Sequence, residues 1–214
     1  MIEELTDDPK YFPPIEKAEN GYIAYGGDLS AERLTEAYTR GIFPYFAFRF
    51  EKILWACPQD RFVIFPQEIH ISHSMRNARN RDEFEVTFNE EFDGVIESCA
   101  VADGRYEEDF AWLGGQMIEA YKQMHKLGRA MSVEVWKDDI LAGGLYGVTL
   151  NKCFFGESMF SNSPNASKMA LIELAEHMNA NGWKMIDCQY ETQHLKSMGG
   201  HHITYKEYLE IVNK

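Results

Sequence analysis

The run from Gly143 to Phe160 constrains this chain more than any other. It reads as two strands, Gly143-Gly-Leu-Tyr-Gly-Val148 and Phe155-Gly-Glu-Ser-Met-Phe160, joined by a short turn at Leu150-Asn151-Lys152. The second strand ends in a carboxylate (Glu157), a hydroxyl (Ser158) and two apolar side chains (Met159 and Phe160). Further on, a second apolar run, Lys184-Met-Ile-Asp-Cys-Gln189, also ends in polar groups. Neighbouring strands of an α/β fold that both end in polar residues bring those ends together over one cleft. Glu157, Asp187 and Gln189 are therefore candidates for a site.

A length of 214 residues, 45% of them apolar, suits one large domain or a full domain with a small partner. No apolar run approaches the roughly 20 residues of a membrane span. The acidic start Met1-Ile-Glu-Glu-Leu5 lacks the basic and apolar regions of a secretory leader, so a cytoplasmic protein is expected. Cys57, Cys99, Cys153 and Cys188 form no C-x-x-C pair, and each lies in or beside an apolar run. Free buried thiols are expected, with a zinc site or a cysteine nucleophile as alternatives. The net charge of −13 argues against tight nonspecific nucleic-acid binding by the whole protein, but allows a local basic patch.

Taken in order, Ser30 is a good N-cap for a helix over 31–40 with Leu34, Ala37 and Tyr38 on one face, and Gly41 stops it. Ile42-Phe-Pro-Tyr45-Phe46 follows as an aromatic loop. The runs at 53–58 and 61–66 read as short strands closed by prolines, and a domain boundary is placed near residue 60. A helix capped by Ser72 carries Arg76, Arg79 and Arg81; it is either a solvated surface or a functional patch. The segment 82–109 that follows holds eleven acids against the single base Arg105. Phe84–Phe88 alternates like a half-buried strand, and Asn89 is positioned to cap a helix running to about Cys99. Met117, Ile118, Tyr121 and Met124 form a helical stripe expected in the core. Trp112 stands just before it, facing a ligand or stapling the helix. Met131–Trp136, Ile140–Val148 and Cys153–Phe155 predict three consecutive antiparallel strands, with a turn at Lys137-Asp-Asp139. Asn165 is placed to cap a helix over 166–181, the strand 184–188 is expected centrally in a sheet, and 205–212 is a terminal amphipathic helix.

A three-stranded meander, a helix and a further strand is the layout of an N-acetyltransferase-type acyltransferase. The expected architecture is therefore α/β (α+β): an acetyltransferase-like (GNAT-like) mixed sheet flanked by helices over 61–214, with a small N-terminal domain over 1–60. Two carboxylates at adjacent strand ends hold an amine, share a proton, bind a metal, or merely cap backbone amides. Metal is the weakest of these readings, because no histidine lies at ligand spacing. Leu145, Phe155, Met159 and Phe160 would wall the cleft with apolar groups, which suits an apolar acyl group whose carbonyl is attacked by an amine.

Several longer strings then carry a resemblance. They are Asn20-Gly-Tyr-Ile-Ala-Tyr-Gly-Gly-Asp-Leu-Ser30, Ala37-Tyr-Thr-Arg-Gly-Ile-Phe-Pro44, Ile53-Leu-Trp55, His70-Ile-Ser72, Ser132-Val-Glu-Val-Trp136, Gly143–Val148, Gly156-Glu-Ser-Met-Phe-Ser161, Asn165-Ala-Ser-Lys168 and Ile186-Asp-Cys-Gln189. In this order and spacing, over about residues 12–200, the chain resembles the bacterial leucyl/phenylalanyl-tRNA–protein transferases. The resemblance implies transfer of Leu or Phe, with Met also considered, from aminoacyl-tRNA to a protein beginning with Arg or Lys. The product is a peptide bond that marks the acceptor for degradation by the N-end rule. It implies no metal and no coenzyme A; no membrane partner and a monomer are expected. It also implies that Asp187 and Gln189 are the catalytic pair and Glu157 the active-site glutamate. Met159 and Leu145 fall at side-chain pocket positions, with Ser158 and Phe155 beside them. Trp112 would meet the adenosine end of the tRNA, and the basic helix would meet the acceptor stem. The chain departs from the family pattern at Tyr45 and Ala56, where relatives carry Trp; a nucleobase still stacks on Tyr45, with less area. Two rivals are a coenzyme-A-dependent N-acetyltransferase and a non-catalytic binding module. The first wants a glycine-rich loop where this chain has Ser161-Asn-Ser-Pro-Asn165, and the second would bind both partners without transfer.

Overall fold

The computed structural model describes residues 2–45, 52–81, 83–102 and 113–214. In chain order the elements are β1 (Glu3–Glu4), β2 (Tyr22–Tyr25), α1 (Ala31–Thr39), β3 (Phe43–Tyr45), β4 (Leu54–Ala56), β5 (Asp60–Ile64), α2 (His73–Asn80), β6 (Glu85–Phe88) and α3 (Phe92–Val101). They continue with α4 (Gly115–Lys126), β7 (Ala130–Lys137), β8 (Ile140–Leu150), β9 (Cys153–Ser161), α5 (Ala166–Ala180), β10 (Met185–Gln189), α6 (Gln193–Ser197), β11 (His201–Thr204) and α7 (Tyr205–Val212).

The strands form two sheets. The smaller has the order β1-β2-β4-β3, and the larger β11-β5-β10-β9-β8-β7-β6. In the larger sheet β6 to β9 are antiparallel neighbours, β10 lies parallel to β9, and β5 is antiparallel to β10. The chain is thus a mixed α/β protein. The expected three-strand meander is present as β7–β9. Its turns place Asp138, Asp139, Asn151 and Lys152 at positive φ, the geometry that lets a two-residue turn follow strand twist.

Two apolar cores flank the larger sheet. One joins the smaller sheet, α1, α3, α4 and α7 to residues such as Tyr146 and Phe155. The other packs α5 against Ile64, Val133, Leu145, Phe154 and Ile186. Helix α5 is apolar on most sides (Met169, Ala170, Leu171, Ile172, Leu174, Ala175 and Met178 are buried), as befits a helix enclosed by the sheet and its neighbours.

Several local expectations need correction. The segments read at Cys153–Phe155 and Phe155–Phe160 form one strand, β9, which β8, eleven residues long, pairs as far as Ser161, so Glu157 lies inside the strand and not at its end. Asn89 caps no helix. It has φ +60° and accepts the Ser132 amide at 3.1 Å, while Glu91 precedes α3. Asn165 sits left-handed at φ +74° without a side-chain cap, and Ser161 Oγ accepts the Ser167 amide instead. The aromatic run after Gly41 contributes a strand, β3.

Candidate active site

Strands β9 and β10 run parallel only from Met185–Cys153 to Asp187–Phe155. Both continue, but no pairing follows. Into this gap opens a cavity of about 160 Å³. Leu145, Phe154, Met159, Leu171, Ile186 and Leu195 line its apolar wall, and Glu157, Asp187 and Gln189 line its other side.

Two irregularities aim these side chains. In β9 the register slips between Tyr146–Ser158 and Gly147–Gly156, leaving Glu157 as the extra residue of a bulge. A bulge inverts the alternation beyond it, so Phe154 and Met159, five positions apart, share a face. Gly147 permits the tight packing here: a Cβ would overlap the Phe155 carbonyl and the Phe154 ring. The same inversion corrects one expectation. Phe155 is fully buried on the opposite face, 5.2 Å ring to ring from Tyr38, and does not line the cavity; Phe154 does. In β10 the register slips between Asp187 and Gln189, and Gln189 adopts φ +63°. A left-handed glutamine costs roughly 1–2 kcal/mol, and non-glycine residues held this way cluster at functional sites.

Asp187 is fully buried and densely bonded. Arg61, also buried, donates from Nε at 2.9 and 3.0 Å and from Nη2 at 2.6 Å. The Tyr208 hydroxyl donates at 2.9 Å, and the Gln189 backbone amide donates to Oδ1 at 2.9 Å. Burial opposes the Arg61 charge, but Asp187 and Tyr208 outweigh it and hold the guanidinium protonated. Asp187 therefore faces Arg61 and pins the strained backbone of Gln189, and the two candidate carboxylates do not form an acid pair. Gly41, at φ +67°, makes room for this clamp, since a Cβ would press on the Tyr208 ring.

Glu157 bridges the gap. Its Oε1 accepts from Gln189 Nε2 at 3.1 Å and from the Tyr38 hydroxyl at 2.7 Å, and its Oε2 accepts from the Tyr121 hydroxyl at 2.6 Å. Burial pushes the Glu157 carboxyl up to about 7, against the Tyr121 and Tyr38 hydrogen bonds that favour the charge; Asp187 adds to the rise and Arg61 opposes it. Periodicity places Tyr38 and Tyr121 only on core-facing helix stripes. The signal that could have singled them out is that a buried tyrosine hydroxyl needs a partner.

The remaining candidates lie elsewhere or are partly committed. Leu145, Ser158 and Met159 line the cavity. Tyr45 is exposed on β3, 6.2 Å ring to ring from Tyr22. Trp112 lies outside the described residues. On α2, Arg79 is held by Glu176 at 2.7 Å and by Glu173 at 3.1 Å, and Arg81 pairs with Glu83 at 2.9 Å. Arg76 donates to the Ile71 carbonyl at 2.9 and 3.1 Å and is exposed. The three arginines thus do not form one unpaired patch, because Glu173 and Glu176 fold back onto Arg79 and the neighbouring Glu83 pairs with Arg81. Among the described residues, no group of three or more His, Cys, Asp or Glu could hold a metal, and no helix is long and apolar enough to cross a membrane. All four cysteines are free thiols, three of them buried.

This is a mixed-sheet α/β protein with an apolar cavity whose rim carries a carboxylate and a carboxamide. The family model described as leucyl/phenylalanyl-tRNA protein transferase matches residues 63–213, and the model for that family's N-terminal domain matches residues 27–59. The leucyl/phenylalanyl-tRNA–protein transferase of Syntrophus aciditrophicus (strain SB) is 48% identical over 95% of this chain and 84% of its own. That of Pseudomonas syringae pv. syringae (strain B728a) is 47% identical over 98% and 93%. Among solved structures, a conserved protein of unknown function from Bacteroides thetaiotaomicron VPI-5482 superposes with a TM-score of 0.50 at 9% identity. That superposition covers 81% of this chain and 62% of the other, and it is a likeness of fold alone. The chain belongs to the leucyl/phenylalanyl-tRNA–protein transferase family.

Proposed function

We propose that this protein transfers Leu or Phe from aminoacyl-tRNA to the N-terminal amine of a protein beginning with Arg or Lys, creating a degradation signal. Family membership supplies the reaction class. The observation that carries the site is the cavity: an apolar space of about 160 Å³ opening directly onto Glu157 and Gln189. An apolar cavity of roughly 150 Å³ holds a benzene ring, so this one suits the phenyl group of Phe or the isobutyl group of Leu.

With the donor side chain seated there, its ester carbonyl lies at the polar rim. Gln189 orients the attacking amine, and Glu157 supplies the negative charge that draws it in. Asp187, already accepting from Arg61, Tyr208 and the Gln189 amide, holds Gln189 in its left-handed conformation. An aminoacyl ester is activated, so positioning suffices without a covalent enzyme intermediate. Arg76 is the member of the α2 arginines with no carboxylate partner among the described ion pairs, and it supports tRNA contact there. The aromatic face of Tyr45 supports stacking on a nucleobase.

The reading extends to architecture. A small N-terminal domain over 1–60 and a catalytic domain over 61–214 are supported by the two sheets and by separate family-model matches. An acetyltransferase-like core is supported by the meander β7–β9, helix α5 and the splayed parallel pair β9–β10.

The test is transfer of labelled Leu, and separately Phe, from charged tRNA to a peptide beginning with Arg, with acetyl-coenzyme A as a control donor. Label passing from tRNA alone is expected. Binding of tRNA without transfer, or acetyl transfer instead, would overturn the assignment.

A further inference from the structure

Glu157, Tyr38 and Tyr121 form a closed triangle of oxygens. Besides the two tyrosine contacts to the carboxylate, the Tyr38 and Tyr121 hydroxyls lie 2.8 Å apart. Each pair of groups is therefore within hydrogen-bond distance, giving three contacts: Tyr38 to Oε1, Tyr121 to Oε2, and Tyr38 to Tyr121. A tyrosine hydroxyl carries one proton and an ionised carboxylate none. With Glu157 ionised, two protons serve three contacts, and one of the three pairs faces oxygen to oxygen without a hydrogen. With Glu157 protonated, three protons serve three contacts and the ring closes, each oxygen pair donating once around the circuit. The ring thus has one vacant proton position, and its carboxylate opens onto the cavity.

We propose that Glu157 takes the proton from the attacking amine, and that Tyr38 and Tyr121 are positioning residues whose two hydroxyl donors hold its carboxylate while the ring keeps room for the proton it takes. This rests on the transfer function proposed above. The N-terminal ammonium of the acceptor gives one proton to Glu157 and becomes a neutral amine. Its lone pair attacks the ester carbonyl, and the new C–N bond forms. The bond from carbon to the ribose oxygen breaks, and the second proton of the nitrogen goes to that departing oxygen. Glu157 then releases its proton to water. The balance is one ammonium and one ester giving one amide, one alcohol and one proton.

Charge placement favours Glu157 over Asp187 for this role. Asp187 is fully buried, with a permanent guanidinium charge at 2.6 Å. Among the described residues Glu157 touches no cation; its donors are two hydroxyls and a carboxamide. Burial keeps both tyrosines protonated, and the Glu157 charge adds to that effect. Among the described residues, the charged and titratable groups that act on Glu157 and its ring are Tyr38 from α1, Tyr121 from α4, Tyr146 from β8, Arg61 from β5 and Asp187 from β10. A carboxyl near 7 is matched to an α-amine whose ordinary value is roughly 8.

Two measurements test this. Infrared titration of the free protein should show a carboxylic-acid carbonyl band that disappears near pH 7 and is absent from Glu157→Gln. In the transfer assay, the acid limb of kcat/KM for the acceptor peptide should lie near pH 7 in the wild type. In Tyr121→Phe it should move to higher pH, because a donor to the carboxylate is lost; a residue that only packs would lower the rate without moving the limb. In Glu157→Gln the amine must enter neutral, so the limb should move to the α-amine value and the rate fall by about 100-fold or more. Titration of Glu157 in the ordinary carboxylate range, or an unmoved limb in Tyr121→Phe, would overturn the inference. If the wild type transfers nothing, the function proposed above falls together with the catalytic use of the ring, while the infrared titration still decides the ring itself.

Discussion

Arg61 and Asp187, both fully buried on the adjacent antiparallel strands β5 and β10, share three nitrogen–oxygen contacts of 2.6 to 3.0 Å. Tyr208 from α7 and the Gln189 amide complete the coordination of the carboxylate. Removing one partner of a buried pair leaves an uncompensated charge and costs roughly 3–5 kcal/mol. Arg61→Met should therefore lower the urea midpoint sharply. Tyr208→Phe, which removes one neutral donor, should cost only about 1 kcal/mol. Equal losses in the two variants would argue against the pair as drawn.

The backbone of Gln189 offers a test with a sign. At φ +63° any side chain with a Cβ is strained. Gln189→Ala and Gln189→Gly both lose the carboxamide and should be equally slow in transfer. The glycine variant should be the more stable of the two, by about 1 kcal/mol. A more stable alanine variant would show that the left-handed turn is absent.

The bulge at Glu157 separates Phe154 from Phe155. Phe154→Leu should change the ratio of kcat/KM for Phe- and Leu-charged tRNA by roughly 10-fold or more, the scale set by a few methylenes in an apolar pocket. Phe155→Leu should reduce thermal stability and leave that ratio alone. A change of donor preference in Phe155→Leu would place the wrong face on the cavity.

Much of this arrangement was legible in the residues, and what was not has physical causes. The strands and the turn at Asn151-Lys152 follow from period-two patterning and turn chemistry, and Glu157, Asp187 and Gln189 stand out as polar residues in the apolar runs that carry them. The bulge was not read, although Phe154 and Met159, both apolar at an odd separation, are its trace. The ring partners of Glu157 come from residues 38 and 121, and helical periodicity reports only that such residues face inward. Arg79 looked free because its acids, Glu173 and Glu176, lie far along the chain on α5.

Glu157 also makes stability depend on pH. Its folded value, about 7, lies above the ordinary carboxylate value, so between those limits the folded state binds more protons than the unfolded. This group's contribution to stability therefore falls as pH rises from about 4.5 to 7. Urea midpoints measured across that range should decline less steeply in Glu157→Gln than in the wild type. Parallel curves would mean that Glu157 does not titrate there.

The most direct test of the account is single-turnover transfer of labelled Phe from charged tRNA to a peptide beginning with Arg. It should be run with the wild type and with Glu157→Gln, Asp187→Asn and Gln189→Ala, each confirmed as folded by circular dichroism. Transfer by the wild type is expected, with a rate at least about 10-fold slower in every variant and donor tRNA still bound. Near-wild-type rates in all three would place the reaction somewhere other than the cleft between β9 and β10.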